Sequence, residues 1–390
     1  KSHIFLIFCK NTESNLMLFE EYVAKPLLAG AGISVPTSRS VRTADEAATV
    51  ASDIGPCMIK AQVPTGKRGK AGGIRAADDS DSARVAAADI LGMDIGGHCV
   101  ETLLVEAKVP IAHELYAAIV NDQQSQGPLL LFSRHGGMDI EDVAAAHPND
   151  LLQLPIDIRN GIDRNLLELL ITPAVPADAV DLLCTTLLNL YEVYINNDAE
   201  LVEINPLVIT HDNNVVALDC KFTLDDSSIK RQHELSAKGT PEKLTELEMR
   251  GEALGLRFIE FSGNVGVLAN GAGLTMTTMD AVRHYGGEPA NFLEIGGEAY
   301  TLGQAALELV LSHPNIKALL VNFCGAFART DVMTEGIIEA WQTLKPKVPV
   351  FFTIHGTGET EAVAMVRERL QLEPYDLMDD AVKAAVEAAQ

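Results

Sequence analysis

Apolar and polar residues alternate from Glu200 to Ile209, give way to His211-Asp212-Asn213-Asn214, and alternate again from Val215 to Lys221. Period-two alternation on both sides of a turn-forming polar run predicts a β-hairpin. Asn205 and Asp219 are equidistant from Asp212, so this hairpin sets them opposite one another on one face. Upstream, Leu, Phe, Tyr and Val recur at helical spacing over residues 16–28, followed by a turn and strand at 30–36. Helix and strand signals then alternate at 44–51, 56–63, 80–91 and 102–106. A further strand follows at 126–132 and a long, largely buried helix at 176–195. This half reads as mixed α+β around an antiparallel sheet.

Residues 226–262 carry Lys, Glu and Arg at helical intervals and read as a surface connector. Strands at 265–269, 290–293, 316–322 and 348–354 then alternate with helices, the rhythm of a parallel, doubly wound sheet. The boundary falls near 240–260, giving a first domain over 16–250 and a second over 251–390. Residues 1–15 read as a leader or extension outside the fold.

The acidity narrows the partners. A formal net charge of -24 over 390 residues opposes nucleic acid and anionic membrane, so any bound phosphate must meet local donors. Cys9, Cys57, Cys99, Cys184, Cys220 and Cys324 show no CxxC pair and no metal-like spacing, which implies a reduced, cytoplasmic setting. No apolar run has the length of a membrane span.

The facing Asn205 and Asp219 suit Mg²⁺, a hard cation that takes one or two protein oxygens and leaves its other positions to water and phosphate. Two solvated polar residues on a hairpin give the same pattern. Gly66-Lys67-Arg68-Gly69-Lys70-Ala71-Gly72-Gly73 is a flexible cationic loop fit for oligophosphate, without the GK[ST] of a Walker A loop. A solvated hairpin accounts for the loop alone. Lys60 sits on an apolar strand and needs an anionic partner, for which nucleotide phosphate would serve. Glu106 closes the strand Leu103–Glu106 as a hinge of a nucleotide cleft would. In the second half, glycine-bearing loops at 270–273, 296–297, 325–329 and 355–358 end the strands, several just before a helix start where free N–H groups favour an anion.

This order of lysine, glycine loop, hinge and hairpin is the layout of the ATP-grasp fold. With KRGKAGG (67–73), SRHGGMDIEDVA (133–144), EINPLVIT (203–210), NGAGLTMTTMD (270–280) and GGEPANFLEIGG (286–297), the chain resembles the β subunit of succinyl-CoA synthetase from Met17 onward. The resemblance implies an N-terminal ATP-grasp domain followed by a doubly wound, flavodoxin-like CoA-ligase domain. It implies that Lys60, Gly66, Lys67, Arg68, Gly69 and Glu106 bind ATP or GTP and that Asn205 and Asp219 hold Mg²⁺. Glu203 would lie near a phosphohistidine borne by an α subunit, in an α2β2 assembly with CoA as co-substrate. Asn270 and the loop Gly325, Phe327, Ala328 and Arg329 would border the acid. His284 and His355 are read as structural or substrate-adjacent rather than phosphorylated.

The acid-binding half departs from the family pattern. Gly325-Ala326-Phe327-Ala328-Arg329 stands where succinate-using members carry Gly-Gly-Ile-Val, Glu298 replaces a glycine after Gly297, and Thr353-Ile354-His355-Gly356-Thr357-Gly358 replaces Arg-Leu-Glu-Gly-Thr-Asn. Phe327 would reshape the pocket, and Arg329 and His355 would meet a second anionic group, which points to sulfoacetate, malate or citrate beside succinate. Drift in loops contacting the α subunit explains the same changes. An ATP-grasp carboxylate–amine ligase and a noncatalytic nucleotide-binding subunit are the competing classes.

Overall fold

The computed structural model describes residues 17–66, 68–122, 124–241, 243–295 and 302–390. The leader at 1–15, Lys67, the Gly296–Gly297 loop and Glu298 lie outside the described residues. The chain divides into two compact units between residues 242 and 243.

Among its described residues the first unit contains two multi-stranded antiparallel sheets and a two-stranded ribbon, Asp94–Ile95 with His98–Cys99. The larger runs in the order Leu151–Pro155, Gly127–Ser133, Ile111–Asp122, Ala199–Thr210, Lys221–Leu224, Met17–Phe19 and Thr240–Pro241, with Val215–Ala217 also pairing Ala199–Thr210. Successive residues of its central strands enter different cores, as the pleat requires. Ala117, Ile119, Leu130 and Phe132 pack with Leu28, Leu183, Leu187 and Leu190 of the helices Glu21–Gly30 and Val180–Asn196. Tyr116, Ala118, Leu129 and Leu131 pack with Ile140 and Val143 of the helix Ile140–Ala146. Coverage of both faces explains why these strands are almost wholly apolar.

The smaller sheet runs Ser38–Val41, Thr102–Ala107, Cys57–Gln62, Ile74–Ala77. It shares a core with the helices Ala44–Ile54 and Ser80–Ile90, through Ala47, Val50, Ile59, Ala83, Ala87, Leu103 and Val105. Each helix opens with a capping box, Thr43 with Glu46 and Asp79 with Ser82, which satisfies N–H groups that the first turn leaves unpaired.

The second unit has a parallel sheet ordered Val265–Ala269, Ala318–Gly325, Val350–Gly356. Bridges at Val265–Pro289 and Ala269–Glu294 attach the segment containing the strand Asn291–Leu293. Val265, Val267 and Leu320 pack with the helices Ala272–His284 and Met378–Ala389. Leu268, Leu319, Val321 and Phe323 pack with the helices Gly303–Leu311 and Thr330–Leu344. The sheet is thus wound on both sides, as its strand–helix rhythm predicts.

Three expectations change. Met17–Phe19 is a strand paired with Lys221–Leu224, and the first helix begins at Glu21. The polar stretch 226–262 is no mere connector. Thr240–Pro241 joins the large sheet, Glu246–Ala253 is a capped helix, and Phe258–Glu260 pairs with Asn291–Leu293. Only a few apolar residues, among them Leu247, Leu256 and Phe258, turn inward, so the periodic signal is faint. Finally, the returning hairpin strand is interrupted, leaving the ladder between Ala217 and Lys221.

Among the described residues no helix is long and apolar enough to cross a membrane. Cys57, Cys99, Cys184, Cys220 and Cys324 are free thiols.

Candidate functional site

The strand Cys57–Gln62 carries Lys60 inward, where its ammonium meets Glu21 Oε1 at 2.9 Å, Glu106 Oε1 at 2.6 Å and the Leu218 carbonyl at 2.6 Å. Lys25, one helical turn beyond Glu21, reaches Glu21 Oε1 at 2.6 Å, the Leu218 carbonyl at 2.8 Å and the Glu106 carboxylate. From the glycine loop, Arg68 meets Glu21 Oε2 at 2.9 Å and the two Asp219 oxygens at 2.6 and 2.8 Å. Five of these six charged side chains are buried, and Asp219 is half-buried. Three cations face three carboxylates, the balance that burial of charge demands. Burial alone would raise the Glu21 carboxyl, but Lys60, Lys25 and Arg68 hold it well below the usual range. Burial likewise opposes charge on Lys60 and Arg68, and the carboxylates overcome it: Glu21 and Glu106 hold the ammonium, and Asp219 and Glu21 the guanidinium, above their ordinary values.

The anionic partner that an inward Lys60 requires is therefore protein carboxylate in this structure. Glu21 and Lys25 are the residues that sequence reasoning missed. Their signal was positional: Glu21, Lys25 and Leu28 form an i, i+4, i+7 stripe, and Leu28 is fully buried, so the two charges belong to the apolar face.

The pairs Leu207–Ala217 and Glu203–Lys221 bracket Asn205 and Asp219, which fall opposite each other in the same register despite the interrupted ladder. Asn205 Oδ1 accepts from Gly137 N–H at 2.8 Å, and its Nδ2 donates to the Met138 carbonyl at 2.9 Å. The segment after the strand Gly127–Ser133 thus orients Asn205, a role no single sequence signal marked. It lies close to its neighbours. A Cβ on Gly136 would stand 2.2 Å from the Leu115 carbonyl oxygen, and one on Gly137, at φ +72°, 2.5 Å from Glu114 Oε2. Lys70 Nζ meets Asp139 Oδ2 at 2.5 Å and ties the glycine loop to this segment. Gly66 and Gly69 belong to that loop, while Arg68 is folded under it. The Asn205 amide oxygen and Asp219 carboxylate are hard oxygen donors of the kind Mg²⁺ takes, and Asp219 is engaged by Arg68 in this structure.

Glu203 is half-buried, and its Oε2 accepts from the Tyr116 hydroxyl at 3.1 Å. Desolvation raises its carboxyl, with Lys221 and the phenol pulling the other way.

In the second unit the glycine loops at 270–273, 325–329 and 355–358 lie at the C-terminal ends of the parallel strands. Asn270 clamps the Ala318–Gly325 strand end, donating to the Cys324 carbonyl at 2.8 Å and accepting from Cys324 N–H at 2.7 Å. Thr357 N–H donates to the Gly325 carbonyl at 2.9 Å, and the Thr357 hydroxyl to the Ala326 carbonyl at 2.8 Å. Phe327 and Ala328 occupy the intervening turn, and Phe327 is fully exposed. Arg329 makes a two-point ion pair with Asp331 at 3.0 and 2.7 Å, and His355 Nε2 meets the Asp376 carbonyl at 2.9 Å. Both groups expected to read a second anion are thus engaged within the unit. A cleft of about 570 Å³ bordered by Gly263, Asn264, Gly287 and Lys317 lies at the opposite strand ends, away from these residues.

Fold and site define a ligase that joins an ATP-grasp domain to a CoA-ligase domain: residues 18–209 match the ATP-grasp domain family and residues 268–386 the CoA-ligase family. Succinate–CoA ligase (ADP-forming) subunit beta of Natronomonas pharaonis is 39% identical over 383 residues, covering 96% of this chain and 99% of that protein. Its counterpart from Herpetosiphon aurantiacus is 39% identical over 381 residues, covering 96% and 100%. The chain belongs to the succinyl-CoA synthetase β-subunit family. Among solved structures, an ATP citrate lyase from Methanothrix soehngenii in complex with citrate and coenzyme A shares the fold, with a TM-score of 0.61 at 20% identity over 95% of this chain and 100% of that one.

Proposed function

We propose that this chain is the β subunit of an ADP-forming acid–CoA ligase, acting in the cytoplasm with an α subunit in an α2β2 assembly. It would convert a small dicarboxylate to its CoA thioester through an acyl phosphate and a phosphohistidine of the α subunit. One observation carries this reading: Arg68, on a glycine loop, converges on Asp219, which lies in register with Asn205. Phosphate-binding cations and hard-oxygen ligands meet at one place. Mg²⁺ held there by Asn205 and Asp219 would neutralise nucleotide phosphate charge. Arg68 and Lys60 add fixed positive charge, and Glu21 and Glu106 keep Lys60 protonated and in place. The glycines let backbone N–H groups approach phosphate. Glu203, held by the Tyr116 phenol, offers a carboxyl beside the visiting phosphohistidine.

Succinate is the first acid on this reading, because Arg329 and His355 are already partnered and the relatives named above are succinate ligases. Malate, sulfoacetate and citrate are the comparisons, and ATP and GTP the nucleotides to compare. Asp219→Asn and Asn205→Ala in the copurified α/β pair are expected to cut thioester formation by roughly a hundredfold while the pair stays assembled on gel filtration. Wild-type turnover in either variant would remove the reading.

A further inference from the structure

His135, His147 and Asp150 bring two imidazoles and a carboxylate together at the rim of the large sheet, with one donor atom of each within 4.8 Å of the others. The local chain geometry explains the meeting. His147 ends the helix Ile140–Ala146, its N–H donating to the Val143 carbonyl at 2.7 Å. It also opens the 3₁₀ turn Pro148–Asp150, closed by Asp150 N–H on the His147 carbonyl at 2.9 Å. Residues three apart eclipse in a 3₁₀ turn, so His147 and Asp150 project from the same side. His135, just past the strand Gly127–Ser133, stacks its ring on His147 with centroids 4.9 Å apart and planes 19° apart. Its Nε2 lies 2.9 Å from Asp150 Oδ2. Arg134 NH2 reaches that same oxygen at 3.1 Å, and neither bond uses Oδ1.

We propose that these three residues form a site for a divalent first-row transition ion, with zinc the best fit. Two imidazole nitrogens are borderline donors that suit Zn²⁺ and disfavour Mg²⁺, and zinc accepts one carboxylate oxygen beside them. Three protein ligands leave a fourth tetrahedral position for water. The Arg134 side chain is about half exposed (52%), so it can swing from Asp150 as the ion enters. This site is separate from Asn205 and Asp219 and does not depend on the ligase reading. It has a structural link to them. The ion would fasten His135 to the helix end and the 3₁₀ turn, and two and three residues on, Gly137 and Met138 are those that hold Asn205. Zinc would therefore stiffen the segment that orients a proposed Mg²⁺ ligand.

The test is calorimetric titration of the untagged full-length chain with zinc chloride in excess Mg²⁺, which saturates sites built of oxygen donors. One equivalent should bind. His147→Ala and Asp150→Asn should each weaken it by about tenfold or more, while His211→Ala, at the exposed hairpin turn, should bind as the parent does. Co²⁺ in place of zinc should give visible d–d bands that His147→Ala abolishes, with the circular dichroism of the variant unchanged. No stoichiometric binding, or equal affinity and equal Co²⁺ bands in a folded His147→Ala, would overturn the site.

Discussion

Glu21 answers three cations at once, so its removal strands charge that has no route to water. Glu21→Gln is expected to destabilise the first unit by about 3–5 kcal/mol at pH 7, read from urea unfolding. The pH dependence has a definite sign. The folded carboxyl lies below its ordinary value, so its contribution is complete above the unfolded glutamate pKa of about 4.3 and is lost as pH falls toward the folded value. The gap between parent and variant should narrow steadily below pH 4; a gap that stays constant there would contradict the cluster. Glu203 moves the other way. Tyr116→Phe removes a donor that lowers its carboxyl, so the already raised value should rise further in a carbon-13 titration. Sequence showed Lys60 and Asp219 because a lysine in an apolar strand and a hairpin count each leave a mark. Glu21 and Lys25 leave no such mark, because an i,i+4 pair of opposite charge is common on helix surfaces, and only their shared stripe with Leu28 separates the two cases.

At the level of elements, two loop ends of the parallel sheet are pressed together. Gly356 has φ +97°, and a Cβ there would stand 2.0 Å from the Gly325 carbonyl oxygen. Gly356→Ala should cost about 2 kcal/mol or more and disturb the turn bearing Phe327. Gly336, inside the helix Thr330–Leu344, is the control, because an added methyl there would meet nothing within 4 Å. Gly336→Ala should be neutral or stabilising by up to about 1 kcal/mol. Thermal unfolding compares the two directly, and similar melting for both would contradict the close approach. The doubly wound order was legible because buried strands and amphipathic helices alternate without interruption. The break after Ala217 was not, since Leu218 leaves the ladder to offer its carbonyl to Lys25 and Lys60, a tertiary demand that local pattern does not carry.

Across the whole molecule, a chain of net charge -24 gathers Lys25, Lys60, Arg68 and Lys70 near the hairpin that bears Asn205 and Asp219. Glu21, Glu106, Asp219 and Asp139 balance them one for one, so in an acidic global field the proposed phosphate would have to draw these cations from their carboxylates, with Mg²⁺ supplying the missing charge. The two-unit plan was legible in the change from antiparallel to strand–helix rhythm, although the polar stretch before the second sheet concealed elements that belong to the fold. The most direct measurement is ADP and CoA-thioester formation by the copurified α/β pair supplied with Mg²⁺, ATP, CoA and succinate. Equal amounts of ADP and succinyl thioester, requiring every component, are expected. Continuous ADP release without CoA, beyond the single equivalent that phosphorylating the α-subunit histidine would liberate, or no thioester from succinate, malate, sulfoacetate or citrate by a pair that binds Mg–nucleotide, would contradict the acid–CoA ligase assignment.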